Sequence, residues 1–206
     1  MRGKKPWELL LMRRPGGADF APGAYVLPGG TVHAEDSEWG DDIAAAAVRE
    51  LFEEVGILLA RDGGRFARDR DCELVREAVA GGSSFSGALR SHGLLPDLDQ
   101  LVLLTRWVTP ALLSRRYDAR FYLARMPEGQ TVHIQADEVS DWLWVTPSGA
   151  LSQSEITLVY ATRKVLESVA VDEDVDEVLR RARGQVDVPI VEPRMVQTES
   201  GWEIVH

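Results

Sequence analysis

The chain has 206 residues, which is enough for one well-buried core and short for two full domains. Its hydrophobic fraction of 45% and charged fraction of 27% are those of a globular protein, and they argue against disordered, collagen-like and membrane-spanning classes. Acidic residues outnumber basic ones 33 to 23, giving a formal net charge of −10, which argues against a broad basic surface for duplex nucleic acid. A phosphorylated small-molecule substrate remains compatible with this acidity if divalent cations neutralise the site locally.

The cysteine content and the hydropathy indicate the cellular compartment in which the protein is expected. The single cysteine, Cys72, cannot form a disulfide within the chain, which fits a reducing environment. The apolar runs Leu9–Met12 and Leu101–Leu104 are too short to cross a bilayer, and the sequence opens without the pattern of a secretion signal. We therefore expect a cytoplasmic protein without a membrane partner. The oligomeric state does not follow from the sequence.

The first predicted elements are two strands separated by a turn-rich segment. Trp7–Arg14 contains a continuous apolar run and predicts a buried strand. Proline and glycine interrupt any periodic structure between residues 15 and 23. Ala24–Leu27 predicts a second, short strand, which ends sharply at Pro28-Gly29-Gly30.

A helix is predicted over Ile43–Val55. Asp41 or Asp42 provides its N-cap, because an aspartate carboxylate accepts hydrogen bonds from unpaired backbone N–H groups. Gly56 provides the left-handed residue that ends it. Its apolar stripe consists of Ile43, Ala47, Val48, Leu51 and Val55.

The following segment predicts a helical insert rather than a second domain. Asp62–Asp71 is polar and typical of a loop. Cys72–Ala80 and Phe85–His92 predict short helices separated by two glycines. We place the insert at residues 61–98.

Strands and helices alternate in the second half of the chain. The predicted strands are Leu101–Thr109, Arg116–Arg125, Gln130–His133, Trp142–Val145 and Trp202–Val205. The predicted helices are Ile156–Val169 and Val175–Arg183. This mixture predicts an α/β fold with helices flanking a mixed sheet. We expect one domain over residues 1–206, with a C-terminal helix and tail at 171–206.

Three glutamates on the first helix indicate chemistry. Glu50, Glu53 and Glu54 stand at i, i+3 and i+4, so their side chains share a helical face spanning about 100°. Like charges at this spacing repel, and a cluster of carboxylate oxygens suits Mg²⁺ or Mn²⁺. Taken alone, the three glutamates are more typical of a solvated acidic face than of a metal site. Their combination with Arg49, Gly56 and an upstream Pro-Gly-Gly favours a metal site.

The stretch resembles the signature of the Nudix family. Gly30 matches its glycine, and residues 49–57 match its second half. Asp36, six residues after Gly30, stands where the family usually has glutamate, and the gap to Arg49 is longer than usual by about five residues. Further segments resemble the branch that contains the coenzyme A diphosphatases. They are Phe20–Gly30, Trp107–Pro110, Arg115–Tyr122 and Glu138–Trp144.

The resemblance covers most of residues 9–170 and implies a Nudix-type α/β/α sandwich. It also implies metal-dependent hydrolysis of a diphosphate linkage in a nucleoside diphosphate derivative, with coenzyme A or acyl-CoA as substrate for this branch. The alternatives left open are a Nudix hydrolase acting on ADP-ribose or a dinucleotide, and a non-catalytic nucleotide-binding Nudix module.

The resemblance also implies roles for individual residues. Glu50 and Glu54 are the principal metal ligands, and Glu53 is a further ligand or the base that activates water. Arg49 orients the glutamates, or forms an ordinary surface ion pair. Glu138 is an additional catalytic or metal-binding acid, or a surface loop acid, with neither role favoured.

Substrate binding is expected beside these carboxylates. Gly29 and Gly30 bring the backbone close to the metal cluster, or form a plain turn. Arg116 and Arg120, with Arg115 opposite them on the predicted strand, contact substrate phosphates or are solvated charges. The remaining candidate residues are expected to have structural rather than catalytic roles. Asp36, Asp41 and Asp42 are loop and capping acids, His33, His92 and His133 are surface residues, and Cys72 is a small buried residue.

Overall fold

The structure is a computed structural model that describes residues 1–110, 116–198 and 201–205. The strands are β1 (Arg2–Gly3), β2 (Trp7–Arg13), β3 (Tyr25–Val26), β4 (Ala60–Asp62), β5 (Arg65–Phe66), β6 (Leu95–Pro96), β7 (Val102–Val108), β8 (Asp118–Leu123), β9 (Asp141–Val145), β10 (Ile190–Val191), β11 (Arg194–Thr198) and β12 (Gly201–Val205). The α-helices are α1 (Asp42–Val55), α2 (Asp69–Ala80), α3 (Phe85–Ser91), α4 (Pro147–Ser152), α5 (Tyr160–Val169) and α6 (Val175–Arg183).

Strand β2 is the centre of the first sheet. It pairs antiparallel with β1, β3 and β9, and its register with β9 runs from Leu9 opposite Val145 to Arg13 opposite Asp141. The second sheet has the order β10-β7-β8, in which β7 and β8 are antiparallel and β7 and β10 are parallel. A third sheet joins β5, β4 and β6, and β11 and β12 form a hairpin.

Both faces of β2 are buried, which explains its continuous apolar run. Leu9 and Leu11 pack in a core shared with β7 and with helices α5 and α6. Leu10 and Met12 point to the opposite face, where they pack with Val55 at the end of α1. Because successive side chains of a strand alternate between faces, one strand contributes to two cores. Helices therefore cover both sides of the sheet layers, as the predicted α/β/α arrangement requires.

Helix α1 confirms the predicted N-cap and C-terminal glycine. The Asp41 carboxylate accepts a hydrogen bond from the Ala44 N–H at 3.1 Å. Gly56 adopts a left-handed conformation with φ of 72°, and a Cβ built there would lie 2.8 Å from the His133 carbonyl oxygen. The end of α1 is thus fixed by local backbone geometry and by the chain segment that crosses it.

Residues 61–98 contain more structure than predicted. The helices α2 and α3 are confirmed, and they pack through Val75 and Leu89 against Val48 and Phe52 of α1. The prediction of a loop over Asp62–Asp71 is wrong, because β4 and β5 form a hairpin there and α2 begins at Asp69. The description of this segment as an insert in a single domain stays a prediction.

Two further predictions are wrong. Within the described residues no strand forms over Gln130–His133, because the His133 N–H donates to the Val55 carbonyl at the end of α1 and the Gln130 side chain is held by the backbone of Leu58 and Ala67. Helix α5 begins at Tyr160, not at Ile156. The preceding residues are held by β3, since the Tyr25 N–H donates to the Thr157 carbonyl at 2.8 Å.

The helices are short and amphipathic rather than uniformly apolar. In the part of the chain that the structure describes, none of them combines the length and the apolar character needed to cross a bilayer.

Candidate metal and diphosphate site

The carboxylates of Glu50 and Glu54 lie close to the Pro28-Gly29-Gly30 turn. The Gly29 N–H donates a hydrogen bond to Glu54 Oε2 at 2.7 Å, and Glu54 is buried. Glu50 packs directly against Gly30, where a Cβ would lie 2.4 to 2.5 Å from the carboxylate atoms. Gly30 and Glu50 are twenty residues apart in sequence, and the glycines permit their close approach.

Arg49 is completely buried and uses all five of its N–H donors. Nε and Nη2 donate to the two carboxylate oxygens of Asp36, and Nη2 also donates to the Thr31 carbonyl at 2.7 Å. Nη1 donates to Glu50 at 3.0 Å and to Glu53 at 2.7 Å. Burial opposes the charge, but the hydrogen bonds to Asp36 and Glu53 outweigh it and hold the Arg49 pKa above its ordinary value. This guanidinium therefore stays charged and sets the directions of two glutamates.

Asp36 is a capping acid, as predicted, but it also pairs with Arg49, which the sequence did not predict. It lies in a 3-10 helix over Ala34–Trp39, is buried, and accepts hydrogen bonds from Arg49 and from the His33 N–H at 2.7 Å. A buried carboxylate requires such pairing, because an isolated charge is costly in a low-dielectric environment. Asp36 thus holds the guanidinium of Arg49 in position.

The glutamates of this site carry an excess of negative charge. Burial raises the pKa of Glu54 to about 8 against the hydrogen bond from Gly29, and the nearby Glu50 and Glu138 raise it further, whereas Arg14 lowers it. Burial also raises the pKa of Glu53, although its bond to Arg49 opposes the change. The group therefore holds more carboxylate charge than the adjacent arginines neutralise.

This donor set fits a hard divalent cation. Among the residues that the structure describes, no group of three or more histidine, cysteine, aspartate or glutamate side chains is arranged as a complete metal site. Mg²⁺ commonly uses one or two carboxylates and completes its shell with water and substrate phosphates. Glu50 and Glu54 share a helical face, and the charge of Glu50 raises the pKa of Glu54. These two residues would hold such an ion.

A cavity of about 560 Å³ with a mostly apolar lining, called the larger cavity below, lies beside the site. It is bordered by residues 28–30 and by Ile43, Ala46 and Ala47, which lie on the same helical face as Glu50 and Glu54. Arg14 and Arg120 also line it. The glycine turn that contacts Glu50 and Glu54 therefore also borders a mainly apolar space with three arginines in its lining, of which Arg125 is paired with Asp176.

Of the predicted phosphate-binding arginines that the structure describes, Arg120 lines the larger cavity and Arg116 does not. Arg116 lies before β8 rather than on it, donates to the Thr109 carbonyl at 3.1 Å and lies 3.8 Å from a Glu192 oxygen. The prediction that Arg116 and Arg120 share a strand face is therefore wrong. Arg115 lies outside the described residues.

A smaller cavity of about 360 Å³ lies beside Glu53. Its lining residues are Phe52, Glu53, Arg76, Val79, His133, Gln135 and Glu138. Glu138 thus joins the helical glutamates through a distant part of the chain, and its charge acts on Glu54. His133 is an exposed loop residue, as predicted.

Comparison with known proteins identifies the family. The sequence pattern of the NUDT19 Nudix domain matches residues 40–163, which include the whole of α1. The chain belongs to this Nudix family. Its Nudix domain is 29% identical over 152 residues to putative nudix hydrolase 7 of Caenorhabditis elegans, a match that covers 71% of this chain and 49% of that protein.

Two other relatives support the assignment. The acyl-coenzyme A diphosphatase NUDT19 of Gallus gallus is 27% identical over 216 residues, covering 73% of this chain and 57% of that protein. The crystal structure of a NUDIX hydrolase from Alicyclobacillus acidocaldarius superposes with a TM-score of 0.72 at 26% identity, covering 84% of this chain and 87% of that one. The predicted Nudix fold is thus confirmed. The chain spans about half the length of the curated relatives that it matches.

In this Nudix domain Glu53 lines the smaller cavity, whereas Glu50 and Glu54 contact the glycine turn that borders the larger one. The structure brings together Glu50, Glu53 and Glu54 with the glycine turn and Glu138, and it leaves Arg116 outside the larger cavity. Sequence reasoning missed Arg14, Arg76 and the burial of Asp36. The signal for Asp36 was its position six residues after Gly30, whereas nothing local marks the two arginines.

Proposed function

We propose that this Nudix domain is a divalent-metal-dependent hydrolase that cleaves the diphosphate linkage of coenzyme A or an acyl-CoA. The observation that carries the proposal is the arrangement of Glu50 and Glu54 against the Gly29-Gly30 turn, next to the larger cavity. Family membership supports a diphosphatase, and the name of the Gallus gallus relative, acyl-coenzyme A diphosphatase, supports the substrate class. The buried, unpaired Cys72 supports a reducing compartment such as the cytoplasm.

The glutamates are assigned separate roles. Glu50 and Glu54 would hold Mg²⁺ or Mn²⁺, with Glu53 as a further ligand. Such cations would supply Lewis-acid polarisation of the diphosphate and a lower pKa for the attacking water. Arg49 keeps Glu50 and Glu53 in fixed directions, because its Nη1 bonds both carboxylates. Phosphoryl displacement depends on this kind of positioning and charge stabilisation more than on a covalent nucleophile.

We assign the role of proton acceptor to Glu138. Glu53 is bound to Arg49 at 2.7 Å, whereas the Glu138 side chain makes no hydrogen bond or ion pair with another described residue. It lines the smaller cavity with Glu53 and is close enough for its charge to raise the Glu54 pKa. An exposed, unpaired carboxylate next to the metal ligands is suited to accept a proton from water.

The larger cavity supports a substrate with an anionic head and an apolar remainder. Its volume is within the range of small-molecule sites, and most of its lining is apolar. Arg14 and Arg120 provide positive charge in the lining, and Arg14 is fixed by a bond from Nε to the Phe20 carbonyl at 2.8 Å. Both arginines are assigned to the diphosphate of the substrate, where Gly29 and Gly30 supply backbone contacts.

The test is a hydrolysis panel with Mg²⁺ or Mn²⁺. CoA, acyl-CoA, ADP-ribose, NADH and diadenosine polyphosphates are compared for wild type, Glu53→Gln and Glu54→Gln, with the exposed Glu128→Gln as control. We expect CoA-type turnover that nearly disappears in both site variants and persists in the control. Brisk ADP-ribose cleavage without CoA cleavage would remove the substrate assignment. Full activity in both site variants would remove the metal site.

A further inference from the structure

Arg76 brings positive charge to the carboxylates from outside the Nudix signature. It belongs to α2, within residues 61–98, and lines the smaller cavity with Glu53 and Glu138. Val79 of the same helix also lines this cavity, so α2 forms one wall. The smaller cavity is thus built jointly by α1, by α2 and by the segment that carries His133 and Glu138.

The guanidinium of Arg76 is uncommitted. Within the part of the chain that the structure describes, it makes no hydrogen bond or ion pair. In contrast, Arg49 uses every donor, and Arg65 donates to Asp71 at 2.7 Å. Arg76 is half-buried and shares the cavity with two carboxylates without pairing with either of them. Its five donors therefore remain available to a ligand that enters the cavity.

The chemistry of the two cavities differs. The larger cavity is mostly apolar, whereas five of the seven residues lining the smaller one are polar or charged. A substrate whose diphosphate lies at Glu50 and Glu54 extends in both directions from these residues. The more highly charged half of such a substrate suits the smaller cavity, and the more apolar half suits the larger one.

We propose that Arg76 binds a phosphate group of the nucleotide half of the substrate, and that this half occupies the smaller cavity. The inference rests on the proposed diphosphatase function. A guanidinium offers a planar fork that pairs with two phosphate oxygens at once, which a lysine ammonium does not reproduce. Cations held at Glu50 and Glu54 offset the carboxylate charge of this region, so that an anionic group is accepted there. Arg76 is accordingly a specificity residue supplied by α2.

The experiment compares Arg76→Ala and Arg76→Lys with Arg70→Ala as a matched control. Arg70 lies on the same helix, is exposed and contacts Glu73 at 3.5 Å. Binding of 3′,5′-ADP is measured by calorimetry with Mn²⁺, and KM and kcat are measured with CoA. We expect Arg76→Ala to weaken 3′,5′-ADP binding and to raise KM by about tenfold or more, with a smaller change in kcat. Arg76→Lys should recover part of the affinity, and Arg70→Ala should match wild type.

Several results would overturn the inference. These are equal 3′,5′-ADP affinity in wild type and Arg76→Ala, no binding by wild type, and a lower melting temperature in Arg76→Ala with unchanged binding. The last result would make Arg76 a structural residue. If wild type hydrolyses no diphosphate but binds 3′,5′-ADP through Arg76, the proposed function fails and the phosphate site stands. If hydrolysis is normal and Arg76→Ala changes neither KM nor binding, the proposed function stands and the inference fails.

Discussion

Arg49 and Asp36 form a two-point ion pair that is buried from solvent on both sides. Nε lies 3.0 Å from Oδ1, and Nη2 lies 3.1 Å from Oδ2. This pair fixes the guanidinium plane, so that Nη1 projects toward Glu50 and Glu53. The loop before α1 therefore controls the directions of side chains on α1.

Removing the charge of Asp36 should destabilise the protein. Asp36→Asn leaves Arg49 buried without its main counter-charge, and we expect a loss of about 3 kcal/mol in the free energy of unfolding. Urea unfolding measures the change, and the exposed Asp99→Asn serves as control. Equal midpoints for Asp36→Asn and wild type would show that this pair does not hold the loop.

The burial of Glu54 predicts how stability depends on pH. Its pKa in the folded protein is raised to about 8, so between about 4.5 and 8 the folded state binds more protons than the unfolded state. The contribution to stability is complete below the unfolded pKa and is lost as the pH rises through 8. With a chelator present, we expect the melting temperature of wild type to fall across this range.

Two comparisons isolate Glu54 in that experiment. Glu54→Gln should lose most of the pH dependence, because the amide does not titrate, whereas the exposed Glu128→Gln should keep it. Excess Mg²⁺ or Mn²⁺ should restore wild-type stability near pH 8 but have no such effect on Glu54→Gln. If the melting temperature of wild type with chelator did not depend on pH, burial would not raise the pKa of Glu54 in the folded protein.

Gly30→Ala should impair activity more than stability. The new Cβ would fall 2.4 to 2.5 Å from the Glu50 carboxylate, which is the end of a flexible side chain and can move aside at little cost to folding. The displaced ligand should lower kcat/KM by roughly 100-fold, as expected for a misplacement of about 1 Å. Gly16→Ala, with no atom within 4 Å, is the control for both rate and melting temperature. Full activity in Gly30→Ala would mean that Glu50 need not lie against the turn.

Arg120 and Arg116 should respond differently to substitution. Arg120 lines the larger cavity, and Arg116 is held at Thr109 and Glu192 outside it. We expect Arg120→Ala to raise the KM for CoA by about tenfold through the loss of a charged hydrogen bond, and Arg116→Ala to leave it unchanged. Initial-rate kinetics measure both values. If Arg116→Ala raised the KM for CoA and Arg120→Ala did not, the substrate phosphates would lie beside Arg116 and not in the larger cavity.

Glu138→Gln tests the proton acceptor. If Glu138 takes the proton from water, the amide should lower kcat by about 10²- to 10⁴-fold, with KM and melting temperature near wild type. Ser140→Ala in the same segment is a structural control, since its hydroxyl bonds the Arg13 and Arg14 carbonyls. A kcat within a factor of two of wild type would return the role to Glu53.

Local signals allowed much of the fold to be predicted. The bounds of α6 agree with the prediction, and α1 begins at the predicted cap and ends at the predicted glycine. These features depend on neighbouring residues, because caps and i, i+4 spacing act within one or two turns of helix. The spacing of Glu50, Glu53 and Glu54 belongs to the same class, which is why the candidate site could be predicted from the amino-acid sequence.

Predictions failed where distant chain segments decide the local conformation. Ile156 continues the apolar periodicity of α5, yet the backbone of Thr157 is held by Tyr25 in β3. Thr131–Ile134 alternates, yet the backbone N–H of His133 is held by the Val55 carbonyl at the end of α1. In both cases a hydrogen bond to a distant residue prevents the element that the local pattern favours.

Local sequence patterns were enough to predict the carboxylate helix, its caps and a buried strand. The packing of distant elements, in contrast, buries Asp36 against Arg49 and places Arg14 and Arg120, but not Arg116, in the lining of the larger cavity. It also places Arg76 and Glu138 in one cavity with Glu53. The reason is that helix and cap preferences are set by neighbours along the chain. The position of a charge relative to another charge on a different element depends on how those elements pack.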